Sequence, residues 1–161
     1  MNVKRITTIS LTATIYAVLT LLLPFFSYRE IQLRFSEIMT LLAFINPVFA
    51  PGIVLGCFLA NIASPYGIID MIVGTTASTL AMFMVVRSKN LFIASLWPTF
   101  FCFLIGFAII FGSGIPFTWY TLFTISISVM IGEFVVVTAI GYPLFKYLMK
   151  NEGLMKILKS K

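Results

Sequence analysis

Runs of about twenty apolar residues, separated by short polar breaks, recur along the whole of this chain. Wound as a helix, a run of that length matches the hydrocarbon thickness of a bilayer. Of the 161 residues, 60% are hydrophobic and only 10% are charged, against about a quarter charged in a soluble domain. Mean hydropathy is +1.08. In lipid every backbone polar group needs a partner within the protein, so the spans are expected to be helices. A β-barrel would need polar and apolar residues in alternation, and the runs do not alternate. The expectation is an all-α integral membrane protein with one transmembrane domain over residues 1–161.

Six spans are predicted. The first, about 6–26, follows the basic Met1–Arg5 start and is too long for a signal peptide, with no small-x-small cleavage pattern after it. Ser27 to Ser36 is polar and partly alternating, which predicts an extended loop. The second span, 36–46, takes Ser36 as its N-cap and is short for a crossing. The third, 51–64, carries Gly52, Gly56, Ala60 and Ser64 at every fourth position, a smooth helix-packing stripe. Ser64-Pro65-Tyr66-Gly67 then turns the chain into the fourth span, 68–86. The fifth covers 91–111, Gly112 to Pro116 form a loop, and the last helix runs 118–148. An even number of spans puts both termini on one side. Nine of the eleven Lys and Arg then lie on that side and two, Arg29 and Arg34, on the other, which by the positive-inside rule makes the termini cytoplasmic. That placement also explains the net charge of +6 without nucleic acid.

Charge inside the apolar runs is the functional signal, because an ionisable group at membrane depth is costly and is kept for a reason. The stretch Ile31–Asp70 holds Arg34, Glu37, Asn61 and Asp70, with Arg29 and Glu30 beside it. Arg34 and Glu37, three apart, suit an ion pair on one helix face. Asp70 suits a helix start, and Asn61 either helix packing or ligand contact. Glu133 lies within the apolar run 125–140 with no basic neighbour in sequence, so it must be protonated, paired with a distant cation, or open to a polar cavity. Trp119 and Tyr120 fit either an interfacial belt or a stacking surface. Ala13 and Ala17, one turn apart, fit close helix packing. Together these residues suit a small, planar, polar ligand carrying positive charge. With no His and two isolated cysteines, Cys57 and Cys102, a transition-metal site is not expected. No nucleotide loop and no nucleophile–base pair can be written, so neither cofactor nor enzyme activity is expected.

The segments Arg34-Phe-Ser-Glu37, Ala60-Asn-Ile-Ala-Ser-Pro65 and Gly67-Ile-Ile-Asp70, in this order, resemble the QueT-type queuosine-precursor transporters, which are substrate-binding S components of energy-coupling factor (ECF) transporters. The resemblance covers essentially the whole chain. It implies a six-helix S component in the bacterial plasma membrane, taking up a 7-deazaguanine such as preQ1. The implied partners are a transmembrane coupling protein and two ATPases that supply the energy. It also implies that the loop after the first helix caps the site, and that Ala13 and Ala17, matching an Ala-x-x-x-Ala pattern, meet the coupling protein. Glu37, Glu133, Asp70, Asn61, Arg34 and Trp119 are the candidate ligand contacts. The alternatives are an S component for another vitamin, such as thiamine or riboflavin, a stand-alone proton-coupled carrier using Glu133, and a purely structural subunit.

Overall fold

The computed structural model describes residues 3–27 and 32–159. Helix α1 (Val3–Leu22) ends just before Pro24, which has no N–H to donate and disfavours helical backbone at the residue before it. The first span therefore ends at Leu22, before the 26 expected, while starting earlier, at Val3, and a single helical turn, Pro24–Ser27, follows it. Ser27 Oγ donates to Thr20 O at 3.1 Å and folds that turn back on α1. Residues 28–31, including Arg29 and Glu30, lie outside the described residues. Gln32–Arg34 is non-helical, in keeping with the extended loop predicted there.

Helix α2 (Phe35–Ile45) starts as seven residues of 3-10 helix, Phe35–Leu41, and finishes as one α turn, Leu42–Ile45. Ser36 is not its N-cap. The hydroxyl instead meets Thr20 Oγ1 on α1 at 2.6 Å, a cross-helix pairing that the sequence does not announce. Helices α3 (Phe49–Asn61), α4 (Gly67–Arg87), α5 (Leu91–Ser113) and α6 (Trp119–Leu148) follow, and α7 (Glu152–Lys159) ends the described chain. Gly67 and Gly114, at φ +66° and +67°, hold the turns before α4 and after α5 in the left-handed region where side chains are strained. A short 3-10 turn, Cys102–Leu104, interrupts α5, and a wide π-helical stretch, Phe134–Gly141, interrupts α6 directly after Glu133.

Four helices, α1, α4, α5 and α6, are long and apolar enough to cross a membrane. Helices α2 and α3 are apolar but shorter. Their outward faces are those of a protein solvated by lipid: Leu22, Leu55, Ile62, Phe83, Phe100 and Ile131 are all exposed. The interior packs Tyr16, Leu41, Ile53, Val85, Val136 and Phe145.

Helices α1 and α3 pack closely against each other. A β-carbon at Gly56 would stand 2.8 Å from both Ala13 O and Tyr16 Cβ, and one at Gly52 would stand 2.7 Å from Ile9 O. The glycine stripe thus lets the two backbones touch, as small residues do between membrane helices. At one end of the bundle, Asn46 Nδ2 donates to Leu158 O at 2.9 Å and ties α7 to the α2–α3 turn.

Candidate functional site

Arg34 and Glu37 sit at the entrance to α2. Glu37 N donates to Arg34 O at 2.9 Å and closes the first turn, and Arg34 NH1 lies 3.9 Å from Glu37 Oε1. Tyr16 of α1, fully buried, donates its hydroxyl to the same carboxylate oxygen. Thr40 Oγ1 donates to Glu37 O at 2.6 Å and fixes the backbone beneath it. Glu37 is therefore held from α1, from the loop before α2, and from α2 itself.

Gln32, Arg34 and Glu37 face Ser78 of α4, Cys102 of α5 and Glu133 of α6 around one cavity. Its volume is about 20 Å³, room for roughly one water molecule. Glu133 is 3% exposed, yet its Oε1 has no hydrogen-bond partner among the described residues. Gln32 Nε2 is in the same condition. Behind the cavity, Cys57 Sγ receives Ser78 Oγ at 3.1 Å and lies 3.8 Å from Arg34 NH1, linking α3 to the lining.

The structure sorts the residues expected from sequence into two sets. Arg34, Glu37 and Glu133 are brought together in the cavity. Asp70 and Asn61, both 0% exposed, are buried to one side of it. Ser64 Oγ donates to Asp70 Oδ2, and Asn61 Nδ2 reaches Asp70 O at 3.4 Å and Cys57 Sγ at 3.5 Å. These two residues brace the α3–α4 corner instead of lining the space. Trp119, 68% exposed, stands edge-on to Phe117 with ring centroids 5.6 Å apart, away from the cavity. It offers no stacking face there, because the first turn of α6 points it outward. Ala13 and Ala17 are buried on the face of α1 that packs inside the bundle. Ala13 lies under Gly56, so its small size is used within the chain and does not form an open partner surface.

Sequence reasoning missed Tyr16, Gln32, Ser78 and Cys102 as lining or supporting residues. Tyr16 was readable in part, as a phenol deep in an apolar run whose hydroxyl needs a partner. The spacing of Ser78 with Gly74, and of Cys102 with Gly106, marks small helix faces but no cavity.

Three buried carboxylates, Glu37, Asp70 and Glu133, stand against one buried guanidinium, Arg34, among the described residues. With all of them ionised, negative charge is in excess, in a medium where unbalanced charge is expensive. A cation or protons must restore the balance. Among the described residues, an all-helical bundle with apolar outer faces and ionisable groups enclosed around a cavity defines a membrane protein. The chain belongs to the QueT transporter family, whose model, described as QueT transporter, matches residues 6–150. No curated protein and no solved structure matches the chain.

Proposed function

We propose that this chain is the S component of an ECF transporter and binds a 7-deazaguanine precursor of queuosine, such as preQ1, for uptake into a bacterial cell. Two buried carboxyl groups, Glu37 and Glu133, set against one guanidinium, Arg34, around one cavity carry the reading, together with family membership. The aminomethyl group of preQ1 is a cation, and its guanine-like edge offers N–H donors. Glu133, with an oxygen still open, takes the ammonium. Glu37, already held by Tyr16 and Arg34, accepts from the ring edge. The cavity must widen to admit a bicyclic ring, and the non-helical Gln32–Arg34 segment is the part of its wall least tied by helix hydrogen bonds. All six apolar helices span or line the membrane region with both termini cytoplasmic, and a coupling protein with two ATPases supplies the energy.

The test is titration of the purified subunit with preQ1, guanine, queuine and thiamine, followed by uptake into vesicles with and without the ATPase partners. Tight preQ1 binding and ATPase-dependent uptake are expected. A preference for thiamine would transfer the protein to another vitamin. Uptake without ATPases that follows a proton gradient would replace the reading with a proton-coupled carrier.

Tyr16→Phe keeps the buried ring and removes only the hydroxyl that holds Glu37. It is expected to weaken preQ1 binding about tenfold, the scale of one hydrogen bond to a charged group. In a Glu37→Gln background the same change is expected to add almost nothing, because coupled residues are not additive. Full additivity in that cycle would show that the Tyr16 hydroxyl acts independently of Glu37.

A further inference from the structure

Among the described residues, Gln32 is the one side-chain amide on the cavity wall. It is buried, it lines the cavity, and its Nε2 has no hydrogen-bond partner among the described residues. A buried donor left unpaired is unfavourable until something accepts from it. Its backbone is pressed against Gly132, where a β-carbon would stand 3.0 Å from Gln32 C and 3.3 Å from Gln32 N. The next residue is Glu133, whose Oε1 is open in the same way. Two adjoining attachment points thus bring an unpaired donor and an unpaired acceptor to one small space.

Resting on the reading above, we infer that Gln32 is a specificity-determining residue that donates to a ring carbonyl oxygen lying next to the cationic arm of the ligand. In a 7-aminomethyl-7-deazaguanine the 6-oxo group and the aminomethyl group are neighbours on one edge. Glu133 takes the ammonium while Gln32 reads the carbonyl beside it. A ring with a 6-amino group in place of the oxygen meets donor with donor. A site built around a polar partner rejects the analogue that leaves its own group unpaired.

The experiment titrates 7-aminomethyl-7-deazaguanine and its 6-amino counterpart against the unaltered protein, Gln32→Leu and Gln32→Glu. The unaltered protein is expected to favour the 6-oxo ligand. Gln32→Leu is expected to lose about 10- to 100-fold for that ligand and little for the 6-amino one, so that the ratio collapses. Gln32→Glu, of nearly the same shape, replaces the donor by an acceptor and is expected to shift preference toward the 6-amino ring. If Gln32→Leu does not fold, Gln32→Glu decides. A ratio unchanged in the folded variants overturns the inference and leaves the proposed substrate standing. If the unaltered protein binds neither ring, both fall together.

Discussion

Glu133→Gln is expected to abolish tight ligand binding and, in the same protein, to raise its unfolding temperature when no ligand is present. Removing one partner of a buried, hydrogen-bonded charge pair costs about 2–5 kcal/mol, roughly 30- to 4,000-fold in affinity. Glu133 is 3% exposed with an oxygen that no described residue satisfies, so the free protein carries that carboxylate as a burden. A neutral amide of equal size relieves it, which is why stability and binding move in opposite directions. Calorimetric titration with preQ1 and thermal unfolding in detergent measure the two effects. Undiminished binding by the folded variant would remove Glu133 from the site.

The second large effect belongs to the α1–α3 seam. Gly56→Val is expected to lower stability by about 1–3 kcal/mol or more, the cost of overpacking a tight interface. Its first added carbon already meets Ala13 O at 2.8 Å, an atom of the backbone that no rotamer change can move aside. Helix α1 must retreat, and Tyr16 retreats with it, so the hydroxyl leaves Glu37. Binding is expected to weaken along with stability. Leu55→Ala, on the exposed side of α3, is the control and is expected to do little. Equal unfolding temperatures for the two variants would mean that the seam is not the tight contact described.

Much of this organisation is legible in the residues because lipid makes the rules strict. Apolar length marked α4, α5 and α6 within a few residues, and Thr118, which accepts from Thr121 N at 3.0 Å, starts α6 where its sequence says it would. Glu37 and Glu133 stood out because charge is rare in such runs, and the two do share a cavity. Asp70 and Asn61 stood out for the same reason; they lie off that cavity and bond to each other and Ser64, though Asp70 Oδ1 and Asn61 Oδ1 keep no partner among the described residues. Rarity reveals that a polar group needs a partner without revealing which one. The π-helical stretch after Glu133 and the 3-10 start of α2 were invisible, since both are set by neighbouring helices and change where every later side chain points. Gln32 was hidden for a similar reason: its burial depends on the bare backbone of Gly132, a hundred residues away in sequence.

The shortness of α2 and α3 has a consequence for the surrounding lipid. At about 1.5 Å per residue, and about 2 Å in 3-10 helix, each reaches roughly 20 Å, well short of a hydrocarbon core of roughly 30 Å. Leu55, Phe58 and Leu59 nevertheless turn an apolar face of α3 outward. Acyl chains against that face have to shorten, or draw the headgroups inward, at a cost of fractions of a kcal/mol for each ångström of mismatch. A dimple in the bilayer beside α3 is the expected result. Elastic tension stored in that dimple favours any tilt, or any neighbouring protein, that lets the membrane flatten again.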